Sequence, residues 1–226
     1  IQAVIGAEVD LNKNLELTLE PYWKSFTQLI SLNREKVLPS DPDYQIETGK
    51  AYGIDFLAKY NYKRYYLWFA YSLGYVTRNN GEQVYPPHYD RRHNLNIVAS
   101  YNWGEDASWE FDIRWNFGSG FPFTLTQGFY EQVNFLNGIN TPYTTQNGSL
   151  GILYDDSLNS GRLPYYHRLD LALKKIIHVS ENSDLEINAS VINVYNRANI
   201  FYFDRVRYER VNQLPILPSI GASFTF

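Results

Sequence analysis

The stretch Trp109-Glu110-Phe111-Asp112-Ile113-Arg114-Trp115-Asn116-Phe117 decides the fold. Every odd position is aromatic or aliphatic and every even one is Glu, Asp, Arg or Asn, so an extended chain puts its charges on one face and its apolar side chains on the other. The same period of two recurs on both sides of this stretch. Tyr52, Ile54, Phe56, Ala58 and Tyr60 alternate with Gly53, Asp55, Leu57 and Lys59, most of them small or polar. Leu95, Ile97, Ala99, Tyr101 and Trp103 alternate with Asn94, Asn96, Val98, Ser100 and Asn102. Leu169, Leu171 and Leu173 face away from Arg168, Asp170 and Lys174, and Ile216, Ile220, Ala222, Phe224 and Phe226 from Ser219, Gly221, Ser223 and Thr225. These patterns predict an all-β protein of antiparallel strands, each with one greasy and one wet face.

Two all-β architectures use such strands: a soluble sandwich with its apolar faces inward, and a transmembrane barrel with them turned to lipid. Composition favours the barrel. Of 226 residues, 17% are aromatic, with 20 Tyr, 13 Phe and 5 Trp, yet the mean hydropathy of -0.39 is that of a polar protein. Rings with a polar tip suit lipid-water interfaces, and they sit toward strand ends here (Tyr52 and Tyr60, Tyr101 and Trp103, Trp109), where a dry core favours Val, Ile and Leu. No run reaches the roughly 18 apolar residues of a spanning helix, which excludes an ordinary helical membrane protein and leaves a barrel open. The absence of cysteine removes disulfides and thiolate metal sites, and a mixed net charge of -4 gives no reason to expect a nucleic-acid partner.

Connection lengths point the same way. Short turns near 11–14, 61–64 and 104–107 alternate with longer connections near 34–50, 79–89 and 122–163, the sorting of a transmembrane barrel. About nine strands are expected, near 3–10, 15–33, 50–60, 65–78, 92–103, 108–118, 165–177, 185–196 and 212–226; 201–206 and 208–212 could instead extend the last two as a hairpin above the membrane. With short turns in the periplasm, the first and last strands both run inward and the C-terminus is periplasmic. An odd number of strands is expected to be the C-terminal part of a longer barrel, since complete single-chain bacterial barrels have even counts. The opening at Ile1–Asp10 reads as the middle of a strand, so the whole of 1–226 is expected to be part of one barrel domain.

The end of the chain, Ser219-Ile220-Gly221-Ala222-Ser223-Phe224-Thr225-Phe226, resembles the insertion signal read by the barrel-assembly machinery, with Ser219, Gly221, Phe224 and Phe226 as its marks. A last strand with an apolar-aromatic face and a free edge is able to pair with an acceptor sheet before its own barrel closes.

Four further motifs carry a family resemblance: Tyr89-Asp90-Arg91-Arg92-His93-Asn94-Leu95, Gly118-Ser119-Gly120-Phe121-Pro122, Leu163-Pro164-Tyr165-Tyr166-His167-Arg168-Leu169-Asp170-Leu171, and Asn193-Val194-Tyr195-Asn196-Arg197. In this order they resemble the barrel of TonB-dependent outer-membrane receptors, most closely those of Bacteroidota. The resemblance implies a 22-stranded barrel around an N-terminal plug, of which these would be strands 14 to 22. It also implies uptake of a scarce or bulky nutrient such as a glycan, peptide or siderophore. The implied partners are outer-membrane lipid, TonB acting through a region outside this sequence, and a surface lipoprotein lid. It implies no cofactor and no enzymatic activity. A barrel kept as a docking component of a larger outer-membrane assembly is the alternative.

Three rival readings attach to single residues. Arg91, Arg92 and His93 suggest a binding cluster, but inward charges such as Asp112, Arg114, Arg168 and Asp170 are expected to pair across the ladder as a structural network. His88, His93, His167 and His178 match no metal-site spacing. A rim hydrolase would draw on Asp90 with His93 or Asp156 with His167. For ligand contact the best region is the 122–163 connection, with Phe129, Tyr130, Phe135, Tyr143 and Tyr154 among many amides and hydroxyls, which suits sugars or peptides and suits equally a loop packed over a pore.

Overall fold

A computed structural model describes residues 1–34, 36, 38–132, 149–180 and 183–226. Its strands, in chain order, are β1 (Gln2–Val4), β2 (Ala7–Asn12), β3 (Leu15–Leu32), β4 (Tyr44–Tyr62), β5 (Tyr65–Asn79), β6 (Val84–Tyr85), β7 (His93–Trp103), β8 (Trp109–Gly118), β9 (Pro122–Phe123), β10 (Thr126–Gln132), β11 (Ser149–Tyr154), β12 (Gly161–Arg162), β13 (Tyr166–Ser180), β14 (Ser183–Ile192), β15 (Ile200–Asp204), β16 (Glu209–Asn212) and β17 (Leu217–Thr225). The long strands form one antiparallel sheet in the order β3-β4-β5-β7-β8-β13-β14-β17, with β1 and β2 following one another end to end along the outer edge of β3. Consecutive long strands are neighbours throughout, the meander that hairpin turns produce.

Pairing register fixes the two faces. Across β4 to β8 the rows Tyr52–Tyr75, Phe56–Tyr71–Leu95–Phe117 and Ala58–Phe69–Ile97–Trp115 stay apolar. The same face continues through Leu169, Leu171 and Leu173 of β13, where Leu171 meets Val191 and Leu173 meets Ala189 of β14, and from Ala189, Ile187 and Leu185 on to Ile220, Ala222 and Phe224 of β17. This face stays open: Ile220 is 81% exposed and Phe226 94%. The buried residues among those described are mostly polar, including Glu47, Asp90, Asn159, Asn193 and Asn199, with only Ala51 and Tyr85 as buried hydrophobics. A sandwich in water does the reverse, so the apolar face is built for lipid.

Two aromatic rows bound that face. At the short-turn end, Tyr65 stacks on Tyr101 at 4.7 Å, Tyr101 on Trp103 at 5.9 Å, and Trp103 on Trp109 at 5.7 Å. Toward the long-loop end, Tyr52 stacks on Tyr75 at 5.5 Å, and Phe117 packs on Tyr165 at 5.6 Å. The ten residue steps from Tyr52 to Tyr62 span about 33 Å of strand; at a tilt of about 40° that is about 25 Å of height, the thickness of a barrel's apolar band.

Several boundaries differ from the sequence expectation. β4 begins at Tyr44 rather than 50, because Gln45, Ile46 and Glu47 pair with β3 beyond a bulge between Phe26 and Leu29. β14 stops at Ile192 rather than 196, since Asn193 and Asn196 take left-handed backbone angles (φ 55° and 49°) that a strand cannot hold. The last strand starts at Leu217 rather than 212; residues 209–212 pair instead with β15 as a separate hairpin. Within the described residues of the 122–163 connection, β10 pairs with β11 and β9 with β12 as a two-residue clasp. Phe135 and Tyr143 lie outside the described residues. No described helix is long and apolar enough to cross a membrane.

Candidate functional site

The face opposite the lipid surface is a polar wall. Its rows run Ser72–Asn94–Gly118–Tyr166, Ala70–Asn96–Asn116–Arg168 and Trp68–Val98–Arg114–Asp170 across β5, β7, β8 and β13. Asn116 donates to Asn96, Ser100 to Asp112, and Lys174 pairs with its register partner Glu110. The expectation that Asp112, Arg114, Arg168 and Asp170 pair across the ladder is corrected in part. Arg168 pairs with Asp170 within its own strand at 2.8 Å, because residues two apart share a face. Asp112 takes a hydroxyl, and Arg114 has no ion pair among the described residues.

Above this wall the long loops are pinned by buried polar groups. Glu47, from the extension of β4, accepts hydrogen bonds from Ser31 Oγ at 2.6 Å and from the Tyr85 hydroxyl at 2.7 and 2.9 Å, and pairs with Arg78 at 3.3 Å. Burial, reinforced by the neighbouring Glu47 carboxylate, pushes the Tyr85 phenol up to about 12, so it stays a donor at any physiological pH. Asp90 pairs with Arg162 and accepts from the Val76 amide. Asn159 donates to the Pro86 carbonyl at 2.8 Å, and Asn199 clasps the His167 backbone through both its amide nitrogen and its oxygen.

The four motifs that lie far apart in sequence interlock here. The Arg91 guanidinium lies 4.2 Å from the Phe121 ring centre and 5.4 Å from that of Tyr166, directly over Gly118. Arg197 donates to the Tyr165 carbonyl at 2.9 Å, and Asn193, fully buried, holds the Arg197 and Leu214 carbonyls and the Arg197 amide. Arg92 turns away over the Tyr75 ring and His93 bonds to the Tyr71 hydroxyl, so Arg91-Arg92-His93 is not one cluster. Asp90 does not meet His93; nor does Asp156 meet His167, whose Nδ1 bonds to the Tyr195 hydroxyl at 2.7 Å. Among the described residues no three His, Asp or Glu side chains gather as metal ligands.

Ser219, Gly221, Phe224 and Phe226 fall on or just beyond β17, which pairs through one edge with β14. Ser219 meets Ser190 at 2.6 Å on the polar face, and Phe224 and Phe226 stack at 6.2 Å on the lipid face. Sequence reasoning missed Glu47, Tyr85, Arg162 and Asn199. The one signal for Glu47 was its odd position in phase with Gly53 and Asp55.

An antiparallel sheet with a banded apolar face, a polar face and long loops at one end has the fold of a segment of β-barrel wall. Two solved structures share it. The ferric-catecholate import receptor Fiu of Escherichia coli K12 matches 99% of the chain at a TM-score of 0.63 and 14% identity. The ferripyoverdine receptor of the outer membrane of Pseudomonas aeruginosa, solved with ferripyoverdine bound, matches 99% at 0.61 and 11% identity. The chain spans about a quarter of their length, 27% and 26% respectively. No protein-family model matches the sequence, and no curated protein does.

Proposed function

We propose that residues 1–226 are the C-terminal part of the barrel of a TonB-dependent outer-membrane receptor that imports a scarce or bulky nutrient. The observation that carries this reading is the sheet's inversion: a lipid-ready exterior between two aromatic rows backs a polar wall roofed by cross-pinned loops. β17 and the β1–β2 edge each have a free side among the described residues. Unpaired backbone groups in lipid cost several kcal/mol each, so further strands of the intact protein close the sheet, to 22 in this reading. The same reading places the plug and the TonB-contacting segment elsewhere in that protein, the long loops outside the cell and the C-terminus in the periplasm. Glycans, peptides and siderophores are the candidate cargo classes, a surface lipoprotein is a candidate lid, and the Bacteroidota affinity rests on the four motifs. The decisive measurement is accumulation of labelled candidates by cells carrying the full gene. Uptake should vanish on deletion of the gene, on loss of TonB and on adding a protonophore. Accumulation indifferent to all three overturns the proposal.

In this reading Ser219, Gly221, Phe224 and Phe226 form the insertion signal. Replacing both Phe224 and Phe226 with alanine is expected to remove most of the folded protein from outer-membrane fractions, as seen by heat-dependent gel mobility, whereas Ser223→Ala should leave it in place. Equal yields from both variants would end the assignment.

A further inference from the structure

On the long-loop side the outward face of the sheet changes character at one level. Along β4, Ile54 and Tyr52 give way to Lys50; along β5 their register partners Leu73 and Tyr75 give way to Thr77; along β3, Pro21 and Trp23 give way to Ser25. The ring row Trp23–Tyr52–Tyr75 therefore closes the apolar band, and Ser25–Lys50–Thr77 is the first polar row above it. Such rings settle where hydrocarbon meets headgroups. The next row stands about 5 Å higher on a tilted strand, among the headgroups themselves. Lys50 is exposed there, and it is the one charged residue among the outward positions of β4 and β5.

A second cation reaches this level from the side of β7. The Arg92 carbonyl accepts from the Gly74 amide at 2.9 Å, which seats residue 92 beside β5. Its guanidinium lies 4.9 Å from the centre of the Tyr75 ring, whose own stacking partner at 5.5 Å is Tyr52. Asp90 lies 3.8 Å from the Arg92 Nε, but it is buried and held by Arg162, and the Arg92 side chain stays 45% exposed. A guanidinium stacked on a ring keeps its in-plane N–H donors, which suit the oxygens of a phosphate. β4 and β7 are two strands apart, about 10 Å, a gap that a lysine and an arginine side chain bridge from its two ends. β4, β5 and β7 have strand neighbours on both sides, and the free edges belong to β17 and to β1 and β2. In the barrel reading the closing strands therefore join elsewhere, and a plug lies against the opposite face.

We propose that Lys50 and Arg92 bind the phosphate of a membrane lipid on the outer surface of the wall, with the rings of Trp23, Tyr52 and Tyr75 against the apolar part of the same lipid. The inference goes beyond import and rests only on the outward face meeting a bilayer.

The test is native mass spectrometry of the full-length protein released from detergent micelles, titrated with phosphatidic acid and with diacylglycerol of the same chains, two lipids that differ by the phosphate alone. Phosphatidic acid is expected to be retained and diacylglycerol is not. Lys50→Gln and Arg92→Gln should each weaken the tightest phosphatidic acid site about fivefold, the attraction that one cation adds at an anionic membrane surface. Lys50→Arg should retain the lipid, and so should Arg207→Gln, an equal change of charge in the β15–β16 turn. If Arg92→Gln disturbs the fold through Asp90, the exposed Lys50 carries the test. Equal retention of the two lipids, or unchanged retention by Lys50→Gln, overturns the proposal. Displacement of the lipid by an equal concentration of inorganic phosphate also overturns it, since the site would then hold the free ion. Lipid retention needs neither TonB nor cargo. Retention without energised uptake would therefore sink the import reading alone, and energised uptake with lysine-indifferent retention would sink this one alone.

Discussion

Replacing Glu47 with alanine is expected to release the 80–92 loop and lower the temperature at which the folded barrel is lost. The carboxylate is buried, and it is the shared acceptor of Ser31, Gln45, Tyr85 and Arg78. Alanine leaves the Arg78 guanidinium and the Tyr85 hydroxyl without their counterpart in a site closed to water. Breaking a buried pair by removing one member costs about 3–5 kcal/mol. Glu47→Gln keeps the shape and some of the hydrogen bonding, so its cost should be smaller, about 1.5–3 kcal/mol. The readout is semi-native gel mobility against temperature, with limited proteolysis to locate the break: cleavage within 80–92 should precede melting of the sheet. Wild-type behaviour of Glu47→Ala in both assays would show that the network contributes nothing to the rim.

The second large effect is expected from the smallest change. A Cβ on Gly120 would stand 1.6 Å from the Leu163 carbonyl oxygen and 2.5 Å from its carbon, and backbone cannot swing aside as a side chain does. Overpacking commonly costs about 1–3 kcal/mol, and a backbone overlap this deep lies at or above the top of that range. Gly120→Ala should therefore open the β9–β12 clasp, in which Phe123 pairs with Gly161 and Pro122 with Arg162. It should also draw Arg162 off Asp90. Because the clasp stands outside the main sheet, the expected phenotype is local: rapid protease cleavage within 119–165, with the heat resistance of the remaining barrel nearly retained. Loss of the whole fold would mean that the clasp is coupled to the sheet more tightly than its pairing indicates.

The contrast between these two sites and the strands explains what was legible beforehand. A strand between lipid and a polar interior writes its environment into every second residue, so Trp109–Phe117 and Leu95–Trp103 could be read one residue at a time. β4 was cut short because Gly49 and Thr48 interrupt the alternation, and only pairing across the Phe26/Leu29 bulge shows that it continues. The rim was less legible for a different reason. Glu47 and Tyr85 are 38 residues apart, and Asn159 reaches the Pro86 carbonyl across 73, contacts that no local pattern encodes. The motifs around Arg91, Gly118, Tyr166 and Arg197 were visible as a resemblance, but their reason for existing was not. Each supplies one face of a single interlocked corner. That Asp170 takes Arg168 of its own strand rather than its register partner Arg114 lay further still from view.

The two faces of the sheet also give the protein a built-in optical contrast. Of the five tryptophans, Trp23, Trp103, Trp109 and Trp115 stand in register with the apolar rows, whereas Trp68 stands between Lys59 and Val98 on the polar wall. Brominated acyl chains quench indoles they touch, and so divide this chain's emission into a lipid signal from four residues and a lumenal signal from one. Trp68 shares its row with Arg114, so the light that survives in such a bilayer comes from beside that guanidinium.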